Sequence, residues 1–428
     1  MITLQLRVTD NKNFITIKQK IMSNKKISYW LITIFLLISN FLITDFIFAQ
    51  EPFKLSSGQN VLEVGGIVSS YLNLRTYPSG TVPKLQNNTI KLKDARLDLS
   101  GKFGKDFDLH LQVDFAGFGN PFDAVNPLIN DAYITYKGLH KAFNIRMGYG
   151  KVPYSMNSII DHEWTPFWER PQVSKGDFFS RRDLGFRLDR TFWNDRIKAI
   201  GGIYTGTGEV SLAGSNDPSG GFEYIGRVEI GYPERRTEHE AIIDTKLSSK
   251  PNVQIGLNAR FARKNLPAGT SFINGETGAL VDSPYNFKVI DGEKTILGAD
   301  IAFAYKGFSL QGEGHILKGI PQHSDDVLLN FTDAKNNKGY FKAGGWFVIG
   351  NYYSKALKSI FAVRYEELNA NDLYPGYSKR IAYSYSYQLK NFNSMIRAEY
   401  DRILSQTESI NTTSYNGQFR IGWQFVIE

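Results

Sequence analysis

From Val61 to Ile427 the sequence repeats one unit: about ten residues that alternate apolar and polar, then a break. Period-two alternation of this length is a strand signal. It predicts strands at 61–74, 90–101, 107–115, 130–137, 143–150, 184–190, 196–205, 222–231, 252–263, 295–305, 308–317, 339–350, 358–366, 379–388, 394–403 and 416–427. The connections alternate in length. Short turns fall at Lys102–Asp106, Gly138–Ala142, Thr191–Asp195, Lys306–Gly307, Asn351–Leu357 and Leu389–Asn393; longer polar segments fall at 75–89, 116–129, 151–183, 206–221, 264–294, 318–338, 367–378 and 404–415. Short turns on one rim and long loops on the other belong to an even-stranded barrel with both chain ends on the short-turn side. The expected fold is all-β, a transmembrane antiparallel β-barrel of about 16 strands. Tyr232–Pro251 fits this least well: it is too long for a short turn, and its run AIIDTKL leaves a further strand open, so the count of 16 is good to about two strands.

Lipid decides which face points outward. A lipid-facing arginine near the bilayer midplane costs about 2–4 kcal/mol, so strand arginines belong in the bore. That phase turns Ala95, Leu97, Leu99, Leu109, Leu111, Val113 and Phe115 out, with Arg96, Asp98, Asp108, His110, Gln112 and Asp114 in. It also places Arg146, Arg187, Arg227, Arg260, Arg364, Arg397 and Arg420 inside. A soluble ligand-binding barrel turns its apolar face inward instead. In the last strand Phe419, Ile421, Trp423 and Phe425 share the outward face of a membrane girdle, while Tyr383, Tyr385 and Tyr387 share a face that suits either lipid or a subunit contact.

The alternation stops inside Phe143–Asp189. Its two ends read as strands, but Lys151–Asp183 carries Pro153, Pro166, Pro171 and two tryptophans among many charges, which suits a long packed loop rather than a strand or a polar linker. The segments GYGKVPYSMN (148–157), WERP (168–171) and RRDLGFRLD (181–189), with LKDARLDLSGKFGKDFDLHLQVDFAG (92–117) upstream, resemble the phosphate-selective porin O and P family of outer-membrane channels. The resemblance covers roughly residues 60–190, and beyond them only the strand pattern is compatible. The chain ends Val426, Ile427, Glu428 rather than on an aromatic residue, a departure from outer-membrane barrels of this kind.

The resemblance implies that the long loop folds inward to form a constriction, that basic residues on the loop and wall select small anions such as phosphate or polyphosphate, and that the protein is a homotrimer. The basic residues of the loop are Lys151, Arg170, Lys175, Arg181 and Arg182; Arg96, Arg146, Arg187, Arg227 and Arg260 are the wall candidates. Guanidinium groups are always charged and offer two parallel donors to a phosphate, so a column of them replaces part of an anion's hydration shell. The competing reading is structural. The loop also carries Asp161, Glu163, Glu169, Asp177 and Asp183, and Asp98, Asp114, Glu229, Glu366 and Glu399 stand ready to pair with wall arginines. A general or differently selective porin, or a non-conducting structural or adhesive barrel, needs the same strands.

Lys25 and Lys26 precede an apolar run, Ile27–Ile43, and a small residue at Ala49, the layout of a secretory signal cleaved after Ala49; a retained anchor is the rival, and Met22 is a second candidate start. The expected organisation is a leader over 1–49 and an outer-membrane barrel over 50–428, embedded in outer-membrane lipid. Of 50 Lys+Arg, six lie before Gln50, and of 42 Asp+Glu, two do, so the remainder carries 44 against 40, or +4. Those charges are scattered singly along strands, which disfavours a nucleic-acid partner. There is no cysteine for a disulfide or thiolate metal site. His162-Glu163 lacks a second histidine at ligand spacing, His110, His140, His315 and His323 are isolated, and no nucleophile, base and orienter assemble, so neither an enzyme nor a cofactor is expected.

Overall fold

Alternating side chains and tight turns build the wall. The computed structural model describes residues 53–76, 88–116, 129–139, 143–174, 180–208, 220–237, 240, 242–265, 271–273, 280–282, 292–321, 339–369, 372, 377–390, 392–406 and 416–427. Sixteen strands form the barrel. The first eight are β1 (Asn60–Thr76), β2 (Asn88–Phe103), β3 (Phe107–Asp114), β4 (Ile129–Leu139), β5 (Phe143–Lys151), β6 (Arg182–Phe192), β7 (Ile197–Tyr204) and β8 (Glu223–Tyr232). The second eight are β9 (Asn252–Lys264), β10 (Gly292–Tyr305), β11 (Phe308–Pro321), β12 (Phe341–Ser354), β13 (Ser359–Asn369), β14 (Tyr377–Lys390), β15 (Ser394–Gln406) and β16 (Gly417–Ile427). Each pairs antiparallel with the next, and β16 closes on β1 from Gly417↔Thr76 to Ile427↔Gly66. Closure leaves no open edge, which a sheet in hydrocarbon requires. A short strand, Phe53–Ser57, folds back on the start of β1, and a small hairpin, Ser271–Ile273 with Leu280–Asp282, pairs apart from the wall.

The predicted phase holds. Val68, Leu97, Ile134, Met147, Leu257, Val363 and Trp423 point outward and are exposed, as are Tyr383, Tyr385 and Tyr387. Arg96, Arg187, Arg227, Arg260, Arg364, Arg397 and Arg420 are buried on the opposite phase.

The alternative of a further strand in AIIDTKL is not taken up by its described residues, 242–247. No described residue of 234–250 is in a strand, and the consecutive Ile242 and Ile243 are both buried, whereas a two-faced strand buries only alternate residues. They pack with Met156, Ile160 and Met395. The Asp244 carboxylate accepts the N–H groups of Ser248 and Gly307, each at 2.9 Å, and Asn351 Nδ2 donates to the Ile242 carbonyl at 2.9 Å, which ties the segment to the short-turn rim.

Candidate functional site

The chain between β5 and β6 does not stay outside the barrel. It holds a one-turn helix, Met156–Ile159, capped by Ser155, and two 3₁₀ turns, His162–Trp164 and Gln172–Ser174. Its polar groups find partners on inward faces around most of the ring. Ser155 N–H donates to Asn258 of β9 at 3.0 Å and Gln172 N–H to Glu366 of β13 at 2.7 Å. Trp168 N–H donates to Glu399 at 2.5 Å and its indole N–H to the Arg397 carbonyl at 3.1 Å, both on β15. On the other side, Glu163 accepts from Arg96 of β2 at 2.7 Å. A segment bonded to β2, β9, β13 and β15 lies across the bore. Its prolines and tryptophans are what such packing needs: fully buried Trp168, Phe167 and Tyr154 fill space, while backbone N–H groups without a partner in the loop take acceptors on the wall.

This segment divides the inner wall into a dry part and a wet part. On β8–β16 most inward side chains are buried, and the arginines among them are held by carboxylates or loop carbonyls. Arg227 lies between Asp300 (2.5 Å) and Glu229 (2.8 Å), and Arg260 is held by Glu223 (2.6 Å) and the Ser180 carbonyl (2.8 Å). Arg420 meets Glu399 at 2.7 Å, and Arg397 donates to the Phe167 carbonyl at 3.0 Å. On β2–β7 solvent still reaches the wall: Asp98, His110, Tyr133, Asn144, Arg146 and Lys198 are only half-buried.

The sequence-derived basic residues therefore have different surroundings. Arg170 turns into its own loop and donates to the Asn157 and Ile160 carbonyls. Arg96 is enclosed by Glu163 and Asp94 (3.3 Å). Lys151 ion-pairs with Asp161, Arg181 donates to the Ser158 carbonyl at 3.0 Å, and Arg182 meets Asp131 at 3.0 Å. Lys151 and Arg181 retain some exposure. Lys175 lies outside the described residues. Arg187 pairs with Asp189 at 3.0 Å, but Arg146 bonds the Thr135 hydroxyl at 3.3 Å and stacks 3.9 Å from the Tyr133 ring centroid, with no carboxylate among the described residues as its partner.

Arg146 and Arg187 are direct register partners across β5 and β6, both on the inward phase. Two residues toward the loop, Gly148 faces Gly185. A Cβ on Gly148, whose φ is +135°, would fall 2.3 Å from the Ala132 carbonyl oxygen, and one on Gly185 would fall 2.3 Å from the Tyr204 ring. The missing side chains let the β4 backbone approach at Gly148 and make room at Gly185 for the Tyr204 ring.

Asp161 organises the loop end. Burial opposes its ionisation, but Lys151, then Arg96, Arg182 and Arg181, hold its carboxyl well below the usual carboxylate range. Its contribution to stability is complete above that range and lost only as the pH falls beneath it. His162 is pushed down by burial, against the attraction of Asp94, whose carboxylate lies 2.8 Å from Nε2. Lys198 and Tyr133 were not singled out from the sequence; the signal that could have found them was strand parity, since Lys198 is the register partner of Glu229 on the inward phase.

Dry and wet arginines answer differently to truncation. Arg227→Ala strands the Asp300 and Glu229 carboxylates in a buried site, and loss of one partner of a buried pair costs about 3–5 kcal/mol. The expected result is a lower unfolding midpoint by heat-modifiable gel mobility, with unchanged ion preference.

The model of the family described as phosphate-selective porin O and P matches residues 66–217. No curated protein matches. Among solved structures the chain is similar to outer-membrane expressed OmpT of Vibrio cholerae, with a TM-score of 0.55 at 10% identity over 87% of this chain and 100% of that one. It is similar to the trimer form of in-vitro folded OmpT of Vibrio cholerae, at 0.51 and 10% over 86% and 100%. The outer membrane channel DcaP of Acinetobacter baumannii gives 0.51 at 11% identity over 88% and 100%. At such identities the likeness carries the fold alone: the chain is a closed sixteen-stranded antiparallel β-barrel similar to outer-membrane porins, and its residues 66–217 match the phosphate-selective porin O and P model.

Proposed function

We propose that the protein passes small anions, phosphate among them, by facilitated diffusion along the wet inner wall of β2–β7. The observation that carries this reading is the Arg146–Arg187 pair: two cations directly opposite each other on the inward phase, Arg187 buried and ion-paired with Asp189, Arg146 half-exposed and in no carboxylate ion pair among the described residues. Like charges directly opposite on a sheet face repel, so the pair is relieved whenever an anion stands before it. Lys151 and Arg181 at the loop end and Lys198 nearer the short-turn rim extend basic character along the same strands. The loop across the bore acts as the constriction that brings a passing ion close to this wall. Residues 1–49 serve as a leader removed on export and 50–428 as the barrel. A homotrimer is the proposed assembly, in line with the trimer form of OmpT among the similar structures.

A second reading has its own support. Most described inward side chains of β8–β16 are buried, which is what a plugged, non-conducting barrel requires. One experiment separates the two: the reversal potential of the reconstituted protein in a planar bilayer under a KCl gradient, repeated with phosphate added. Chloride preference with current blocked by phosphate is the expected result. Cation preference or none defeats the anion reading, and absence of conductance from folded protein favours the plug.

A further inference from the structure

The lipid-facing wall carries a feature that conduction does not use. Across β6–β9 the outward register row Leu188, Gly201, Gly226 and Ala259 runs through three consecutive small residues, and the next row toward the turns contains Ala199. A Cβ built on Gly201 or Gly226 meets nothing within 4 Å, so these glycines are not demanded by packing inside this chain. They floor a hollow of about 520 Å³ walled by Leu188, Phe192, Val228 and Leu257. At its short-turn end stands Arg190, on the outward phase, its guanidinium 4.9 Å from the Phe143 ring centroid and 4.8 Å from that of Phe192. It sits three residues from the exposed Trp193 of the β6–β7 turn, at the depth of the membrane interface on the periplasmic side.

We propose that this hollow binds a phospholipid of the periplasm-facing leaflet, with its phosphate on Arg190 and an acyl chain along the Gly201–Gly226–Ala259 floor. No carboxylate pairs with Arg190 among the described residues. The two flanking rings fix its planar fork, leaving its edge for the two parallel bonds that a phosphate accepts. A second copy is the other occupant to weigh. Outward positions next to the short turns on other strands are aromatic, including Phe103, Phe107, Phe308 and Phe361, so a second copy docking by its wall brings no anion to Arg190. A phospholipid brings both the anion and the chain.

The test is native mass spectrometry of the detergent-purified full barrel titrated with phosphatidylglycerol, with diacylglycerol and with inorganic phosphate. Wild type is expected to retain one phosphatidylglycerol per chain, and Arg190→Gln and Gly226→Leu each to lower the bound fraction at least tenfold while heat-modifiable mobility stays native. Diacylglycerol is expected to bind far more weakly and phosphate not to compete. Equal retention by wild type and both variants overturns the proposal. So does displacement of the lipid by phosphate alone, which makes the site one for a free anion, or loss of oligomer in Gly226→Leu with lipid retention unchanged, which makes it a subunit contact. Because neither substitution touches the bore, conductance is unchanged under every outcome, and the result stands apart from whether the pore selects anions.

Discussion

Replacing Arg146 by glutamate is expected to abolish anion preference and leave the barrel at least as stable as wild type. A unit charge about 4 Å from a passing ion is worth roughly 1 kcal/mol in bulk water and about 4 at a wall-like effective dielectric. Reversal counts that interaction twice, so even at the aqueous limit the chloride-to-potassium permeability ratio falls by more than about tenfold. Stability moves the other way, because the carboxylate introduced by Arg146→Glu faces Arg187 where the native chain sets a like charge. Reversal potentials in a KCl gradient and the heat-modifiable unfolding midpoint read the two effects separately. A variant with lowered stability and unchanged preference would show that Arg146 belongs to the frame and that ions pass elsewhere.

Glu399→Ala is expected to release the loop and raise single-channel conductance severalfold. Glu399 is fully buried, accepts Trp168 N–H at 2.5 Å and Arg420 at 2.7 Å, and so joins loop to wall at a point that water does not reach. Its loss leaves a buried guanidinium and a buried N–H without their acceptor, a defect of about 3–5 kcal/mol for the charge alone. The loop can relieve that defect by leaving the wall, whereas the strands cannot. Limited proteolysis should then cut within 156–174, where wild type resists. If conductance and cleavage both stay at wild-type values, the anchor lies in the other contacts, such as Gln172 to Glu366 or Ser155 to Asn258.

The wall was legible in the sequence because its two solvents differ so sharply. Lipid on one side and charge on the other force strict alternation, so all sixteen strands and the phase of their arginines could be read from residues such as Arg227, Val228 and Glu229. Alternation left 232–251 open, because there the apolar pair Ile242 and Ile243 packs against loop residues Met156 and Ile160 rather than taking a place in the wall. Parity also says only that Arg227 and Arg146 point inward. Whether water reaches them depends on where the loop comes to rest, and beside Arg227 that is settled by a contact 103 positions apart, Ser155 on Asn258, the residue that Arg227 also meets. The groove on β6–β9 was missed because Gly201 and Gly226 look like ordinary strand residues until their register places them side by side.

The division of the bore into dry and wet charge has a consequence for ionic strength. The Debye length is about 10 Å at 0.1 M salt and about 3 Å at 1 M, but counter-ions screen only charges they can approach. Arg227 with Asp300 and Arg260 with Glu223, sealed from water, keep their attraction in concentrated brine. Arg146 and Lys198 do not. The same molecule should therefore hold its shape in strong salt while its preference between ions fades, and a selectivity measured at one concentration describes that concentration alone.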